Sequence, residues 1–412
     1  MIKVITGVRR CGKSYLLNEI FNKYLSEKGI DENHIIRFAF DSEDDLEKIG
    51  ENILETNIRN KKVDPKKFIK YINSKIVDDK TYFLLLDEIQ LLDSFEVVLN
   101  GYLRKNNVDI YVTGSNAKLL SKDVITEFRG RGWEIRVHPP SFKEFADAPS
   151  KSIDEAYKEY SSYGGLPKLF DFKNENDKAK YLKQIFEETY INDIVERNGL
   201  KNQNEISSLL DFLASSIGSL TNPTKLANSF VPLRHTKMHP DTIRRYISYL
   251  LDSFLIEAPK RYDISGKGYI ESPSKYYFAD IGLRNARLNF REMEQQKIME
   301  NIVYNDLVIK GYNVDVGVLD MYEQNKNGKS VLKRTEVDFV CNQADRRYYI
   351  QVAYLLDSLD KLHQEQRPLL GTKDAFKKII IVRDSIPTHY NEDGVLMMGL
   401  YDFLLNDESL KY

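Results

Sequence analysis

Hydrophobic positions in the first 140 residues fall in short runs that stop abruptly at polar or charged residues. Ile2 to Thr6 is a β-branched run and reads as a buried strand. Ile35-Ile36-Arg37-Phe38-Ala39-Phe40 is a second, ending in the acidic cluster Asp41, Glu43, Asp44 and Asp45, which suits a solvated helix start. Tyr82-Phe83-Leu84-Leu85-Leu86 runs straight into Asp87 and Glu88. Two more strands follow, at residues 109–116 and 134–137, the last leading to Pro139-Pro140. Between the first two runs, Leu16, Leu17, Ile20, Phe21 and Tyr24 recur at helical spacing. The pattern predicts an α/β core built on a parallel sheet over residues 1–150.

The pattern then changes. Asn222-Pro223 reads as an N-cap with proline at the first helical position. A helix opening at Asp241 carries Ile243, Ile247, Leu250, Leu251 and Phe254 on one face. Strand-like Ile256-Glu257-Ala258 and Tyr276-Tyr277-Phe278 flank a turn at Ser265-Gly266-Lys267-Gly268, which predicts a winged helix within a middle region, 151–285. In the last part, 286–412, a helix marked by Ile298, Met299, Ile302, Val303 and Leu307 precedes strands at 314–318, 335–340 and 348–353.

The chain has 412 residues, enough for two or three domains, and a formal net charge of −2. That balance argues against a surface that is a nucleic-acid footprint throughout. Cys11 and Cys341 are the two cysteines, which suits a reducing compartment better than a disulfide framework. No apolar run has the roughly 18–20 residues of a membrane span, and the N-terminus lacks a signal-peptide layout. These features favour a cytoplasmic protein.

Chemistry concentrates at the ends of the predicted strands. Gly7-Val8-Arg9-Arg10-Cys11-Gly12-Lys13-Ser14 matches G-x-x-x-x-G-K-[ST] between a strand and a helix that begins near Tyr15. Glycines let the backbone N–H groups face phosphates, and the helix N-terminus adds partial positive charge. Lys13 is placed to neutralise the β- and γ-phosphates of ATP, and Ser14 to offer a hydroxyl to Mg²⁺. Asp87-Glu88 after the apolar run is a Walker B pattern: Asp87 for Mg²⁺, Glu88 as general base for the attacking water. Cys11, beside Lys13, is expected to be a reactive thiol whose modification blocks nucleotide binding.

Other readings come from likeness to AAA+ ATPases. The strand ending Thr113-Gly114-Ser115-Asn116 resembles a sensor strand, with Ser115 and Asn116 as candidates. Arg129 and Arg131 lie where such proteins carry an arginine finger; Arg131 is the preferred candidate, acting on a neighbour's nucleotide in a homo-oligomer or in cis. Gly164-Gly165-Leu166-Pro167 is similar to a lid motif that brings Pro167 near the base, and equally suits a link between helices.

From Thr221 to Ile270 eight basic and four acidic residues give a local net charge of +4. Arg244, Arg245, Lys260, Arg261 and Lys267 are candidate contacts to duplex DNA phosphates; a winged helix used only for packing is the other reading. In the last part, Glu300 on a helix, Asp338 on one strand and Gln351 on the next follow the order of PD-(D/E)xK nucleases, whose two acids hold Mg²⁺ and whose lysine positions water. Ala353 stands where that lysine belongs, so an inactive nuclease-like domain is expected; Lys377 or Lys378 is the available substitute. His235 and His239 have no Cys or acid cluster to complete a zinc site.

Taken together, GVRRCGKS, LLLDEIQ, TGSN, SFKEF, GGLP, YFADIGLRN, TEVDFV and IQVAY resemble the prokaryotic AAA-family ATPases of the signalling-like branch with an uncharacterised nuclease-like C-terminal domain. The resemblance spans nearly the whole chain. It implies ATP and Mg²⁺ as cofactors, a P-loop core, a winged helix and a restriction-endonuclease-like tail. Family members usually carry an extension before the P-loop strand, where this sequence begins, so adenine contacts from such a segment are not accounted for. Two functions stay open: an ATPase that drives a DNA-contacting module, or a slow nucleotide switch that recruits a protein partner through the C-terminal domain.

Overall fold

The five expected strands form and lie parallel: β1 (Ile2–Thr6), β2 (Ile35–Ala39), β3 (Tyr82–Asp87), β4 (Val108–Thr113) and β5 (Gly132–Arg136). Their order is β2-β3-β4-β1-β5, with registers such as Val4↔Val112, Ile36↔Leu84 and Thr6↔Arg136. The computed structural model describes residues 1–52, 62–114, 130–147, 151–200, 202–234, 238–324 and 330–411. Ile2, Val4, Leu84, Leu86, Ile110 and Val112 are buried at the sheet's centre, because a parallel sheet is covered on both faces. Helix α1 runs over residues 13–27, with a π segment at Leu16–Phe21. It lays Leu17 and Leu25 against Ile5, Ile35 and Leu85. Helices α2 (Glu43–Lys48), α3 (Pro65–Lys75) and α4 (Phe95–Tyr102) also belong here, α3 and α4 burying Phe68, Ile72, Phe95 and Leu99 on the other face.

The chain divides into two compact units: residues 1–139 with 252–254, and residues 140–251 with 255–412. The second begins with two capping boxes. Ser141 caps α5 (Phe142–Ala146) with Glu144, and Ser152 caps α6 (Ile153–Tyr163) with Glu155. Helix α7 (Glu175–Ile185), a π segment (Phe186–Ile191), α8 (Gln203–Ser215), α9 (Pro223–Arg234) and α10 (Pro240–Asp252) follow. Helices α11 (Ile281–Arg287) and α12 (Gln295–Ile309) lead into the strand-rich tail.

The GGLP and YFADIGLRN motifs meet at one joint. Gly164 ends α6 at φ 77°, and the Gly165 N–H donates to Asp280 Oδ2 at 2.8 Å. Asp280 also caps α11 through the Leu283 N–H, and Asn285 Nδ2 donates to the Ser161 and Ser162 carbonyls at the end of α6. A Cβ at Gly282 would sit 1.8 Å from the Tyr163 carbonyl oxygen, so only glycine admits this approach. Burial raises the Asp280 carboxyl to about 6, against the Gly165, Leu283 and Gly282 amides that favour its ionised form.

The expected pair at 256–258 and 276–278 forms as β6 (Ile256–Glu257) with β9 (Tyr277–Phe278), Ile256 opposite Phe278. Between them lies a hairpin that the pattern did not show, β7 (Arg261–Asp263) and β8 (Gly268–Ile270). Its β7 strand pairs in parallel with β10 (Asn313–Gln324), Arg261 opposite Val316. The hairpin therefore belongs to one eight-stranded sheet, ordered β14-β15-β13-β12-β11-β10-β7-β8, with β11 (Ser330–Gln343), β12 (Arg346–Ala353), β13 (Lys377–Val382), β14 (His389–Tyr390) and β15 (Leu396–Gly399). The 151–285 and 286–412 regions share that sheet. Helices α13 (Leu359–Leu370) and α14 (Leu400–Leu405) complete the tail.

Candidate functional site

The loop after β1 curls because its sequence allows it. Gly7 sits at φ 142° with no room for a Cβ, which would lie 2.1 Å from the Val137 carbonyl oxygen. Gly12 adopts φ 106° at the start of α1, and its carbonyl accepts from the Leu16 N–H at 2.8 Å. Arg10 is also left-handed, at φ 67°. The buried Lys13 donates from Nζ to the Gly7 and Val8 carbonyls, at 3.0 and 3.1 Å, so its ammonium lies within the loop's curl. Ser14 and Tyr15 are exposed at the first turn.

At the end of β3, one strand removed from β1, Asp87 is buried and its Oδ1 accepts from the Thr113 hydroxyl. Asn18 of α1 reaches Asp87 Oδ2 at 3.5 Å. Glu88 follows at φ 52°, a left-handed conformation sparsely used by side-chain-bearing residues. Its N–H donates to Thr113 Oγ1 at 3.3 Å, and its carboxylate accepts from Gln90 Nε2. Thr113 thus links the two acidic positions, a role that the sequence reading sought two or three residues later, at Ser115 and Asn116. Ser115, Asn116 and Arg129 lie outside the described residues.

Three groups at this end of the sheet were given no role in the site by the sequence reading. Asp41 at the end of β2 keeps contact with water, yet its carboxyl is raised, first by partial burial and then by the Glu88 and Asp87 charges. Glu43, Asp44 and Asp45 instead occupy the first turn of α2. Arg136 stands opposite Thr6, beside the phosphate loop. Burial, then the Arg136 charge, lowers the nearby His138 to about 4 and keeps it neutral at pH 7. The signal was weak: Arg136 ends a strand, Gly132–Arg136, that has no buried residue and already carries Glu134.

Cys11 corrects the expectation of a reactive thiol. It is buried, its Sγ lies 3.4 Å from the Val137 carbonyl as a donor, and burial raises its pKa over the opposing pull of Lys13. Arg131 is exposed at the entry to β5, where its carbonyl accepts from Ile2. That is the opposite end of the sheet from Thr6, about 13 Å of strand away, so Arg131 does not reach its own chain's phosphate loop. Pro167 opens a short 3₁₀ turn, Pro167–Asp171, in the second unit, behind the Gly164–Asp280 joint.

A second cluster lies in the tail. Glu300 of α12 and Asp338 of β11 are both buried, and Gln351 of β12 donates from Nε2 to Glu365 at 3.2 Å. Asp338 Oδ2 accepts from the Val352 N–H at 2.9 Å. Burial and the Glu300 charge raise the Asp338 carboxyl. Lys377 and Lys378 do not join them: Lys378 Nζ bonds the Asp374 carbonyl at 2.7 Å, and Lys377 Nζ the Leu410 carbonyl at 3.4 Å. The cation present is Lys275, from the segment before β9. Among the proposed DNA contacts, Arg244, Arg245, Lys260 and Lys267 are exposed, whereas Arg261 is buried within the sheet and is withdrawn from that set. His235 lies outside the described residues, and His239 Nδ1 is 3.3 Å from Asp241.

A parallel sheet with a glycine-curled loop after one strand, and a paired acidic end two strands across, defines a P-loop nucleotide-binding core of the AAA+ class. Residues 1–146 match the family described as AAA domain, and residues 154–294 match a domain of unknown function. An uncharacterized protein of Haemophilus influenzae is 36% identical over 98% of this chain and 94% of its own length. The chain belongs to the same family as that protein. An uncharacterized protein of Methanocaldococcus jannaschii is 29% identical over 95% of this chain and 83% of its own. Among solved structures, the Orc1 protein of Aeropyrum pernix in complex with DNA is 12% identical over 69% of this chain and 85% of that one, with a TM-score of 0.27. Cdc6p of Pyrobaculum aerophilum is 11% identical over 72% and 88%, with a TM-score of 0.28. Likeness at that level carries no functional argument.

Proposed function

We propose that the protein is an ATPase whose first unit binds ATP with Mg²⁺ and hydrolyses it, and whose nucleotide state governs the second unit. The observation that carries this is the convergence of Lys13, Asp87, Glu88 and Thr113 on one end of the sheet, with Lys13 inside a loop whose N–H groups suit phosphate oxygens. Ser14 and Asp87 fit Mg²⁺, being a hydroxyl after β1 and a carboxylate at the end of β3, with β4 between the two strands. The ion would supply charge neutralisation at the phosphates. Lys13 binds the β- and γ-phosphates in exchange for its present carbonyl partners. Glu88 takes a proton from water as the water oxygen bonds to the γ-phosphorus and the bond to the β–γ bridging oxygen breaks. Gln90 and the Glu88 N–H bond to Thr113 hold Glu88 in position, and Arg136 adds positive charge beside the loop.

Steady-state hydrolysis by the full chain, with a Glu88→Gln control, tests this. We expect turnover to fall on the order of 10²–10⁴-fold while nucleotide binding persists. Loss of binding together with turnover would remove Glu88 from the base role, and equal turnover in both proteins would end the ATPase reading.

Duplex DNA as the partner of the second unit is supported by the exposure of Arg244, Arg245, Lys260 and Lys267. Arg244 is already paired with Asp241 at 2.5 Å, which weakens its claim. Replacing Arg244 and Arg245 together by alanine is expected to reduce the salt slope of DNA binding by about 1–2. No DNA shift by the parent protein at low salt would leave the slow switch with a protein partner as the reading.

A further inference from the structure

The nuclease-like order of Glu300, Asp338 and Gln351 implies a divalent metal, and the residues can be asked whether they fit one. Glu336 and Asp338 are two apart on β11, which puts both carboxylates on one face of the strand. Glu300 comes to the same place from α12. At their meeting point stands the Lys275 ammonium: 2.5 Å from Glu336 Oε1, 3.1 Å from Glu300 Oε1 and 3.8 Å from Asp338 Oδ1. The lysine is buried, and burial works against its charge, but Glu300, Asp338 and Glu336 outweigh that and raise its pKa.

Most of the other donors are committed elsewhere, while the buried Glu336 Oε2 has no hydrogen-bond partner. Asp338 Oδ2 is bound by the Val352 amide, Glu300 Oε1 takes a second hydrogen bond from the Tyr277 hydroxyl at 2.6 Å, and Gln351 turns its amide to Glu365. Mg²⁺ demands oxygens at about 2.0–2.1 Å in near-octahedral array, and an ammonium at 3.1 Å from the Glu300 oxygen stands in that volume. Among the described residues, no group of three His, Cys, Asp or Glu is arranged to hold a metal ion. The metal does not fit.

We propose that the Lys275 ammonium permanently replaces the divalent cation of this nuclease-like site, so that the second unit takes no metal there and the cluster clamps the 271–278 segment onto α12 and β11. The substitution comes from a different part of the chain than the missing lysine at position 353, which is why strand order alone did not reveal it. Three carboxylates around one ammonium leave surplus negative charge, and Tyr277, Val352 and the partial exposure of Glu336 offset it. Removing the ammonium should therefore create a metal site where none exists.

The test uses the full chain carrying Ser14→Ala and Asp87→Asn, to silence the nucleotide-site metal, titrated with Mn²⁺ and read by the electron paramagnetic resonance of free Mn²⁺. We expect no stoichiometric binding in this background. Adding Lys275→Ala should give one bound Mn²⁺ per chain, lost again when Asp338→Asn is included. One Mn²⁺ bound in the background protein and removed by Asp338→Asn overturns the proposal, as does a folded Lys275→Ala chain that binds none. Should Lys275→Ala fail to fold, the background protein with and without Asp338→Asn still decides the matter.

Discussion

At the scale of single residues, the phosphate loop shows how identity and surroundings diverge. Cys11 lies next to a lysine in sequence space and would be expected to ionise readily. In the fold it faces the Val137 carbonyl and is 4% exposed, so burial dominates. Both Cys11 and Cys341, the latter fully buried, should resist a thiol reagent in the native protein and react on denaturation. Rapid native labelling of Cys11 would show that the loop opens. Lys13 is the opposite case. Its ammonium is where the motif requires it, and Lys13→Ala should weaken nucleotide binding by about tenfold to a hundredfold, the worth of one or two charge-assisted hydrogen bonds. Isothermal titration with a non-hydrolysable ATP analogue measures that directly.

At the scale of elements, the joint of α6 and α11 makes the sharpest predictions. Gly282→Ala would force a Cβ against the Tyr163 carbonyl and should destabilise the second unit by more than about 3 kcal/mol, as a backbone clash has no side chain to yield. Denaturant midpoints of the two proteins check this. Asp280 makes the same joint pH-sensitive. Its folded carboxyl is raised from 3.8 to about 6, so between those values the folded state holds the proton more tightly than the unfolded chain. Stability is then fully present below about pH 4 and declines as pH climbs through about 6, by up to about 1.4 kcal/mol per pH unit from this group. Asp306, raised to about 6 by burial despite Lys310, acts in the same direction. Asp280→Asn should therefore roughly halve the slope contributed by this pair, with Asp306 still present; an unchanged slope would mean that Asp280 ionises in the fold as it does in water.

Elements were also where the sequence was most and least readable. Four strands of the first unit were legible because each is a short, mostly apolar run with a polar stop, and the acids at the end of β3 marked the site; β5, with no buried residue, was read at 134–137 and lies at Gly132–Arg136. The β7–β8 hairpin was not, because its residues are mostly polar and half exposed and its β7 strand is completed by β10, far along the chain. Strands β13 and β15, Lys377–Val382 and Leu396–Gly399, were not read as strands: Lys377 and Lys378 drew notice only as substitute lysines, and the apolar residues of both runs carry no chemistry. Lys275 was invisible for a related reason. A lysine beside a strand is ordinary in sequence, and only the meeting of α12 with β11 gives it three acidic partners.

At the scale of the whole molecule, each unit has a core of its own: the strands and helices of the P-loop sheet in the first, and Val337, Val340, Tyr349, Leu369 and Ile380 with their neighbours in the second. No helix of the described residues is long and apolar enough to cross a membrane. A nucleotide held by the first unit should raise that unit's unfolding transition by about 2.7 kcal/mol at a hundredfold excess over its Kd. Lys13→Ala should cut the shift to about 0.4–1.4 kcal/mol at the same nucleotide concentration. Calorimetry with and without nucleotide reads both transitions, and a shift left undiminished by Lys13→Ala would place the nucleotide elsewhere.

The pairing of β7 with β10 has a consequence for biosynthesis. The Val316 N–H donates to Lys260, and the Ile264 N–H to Val318, so the hairpin's open edge is satisfied by residues that leave the ribosome later. At about 5–20 residues per second, a nascent chain carries that edge uncovered for seconds. A chain stopped at residue 285 would carry it for good, with Ile264 deprived of Val337 and Leu319, and such an edge invites other strands. The order of synthesis thus makes the late strands the guardians of the early hairpin.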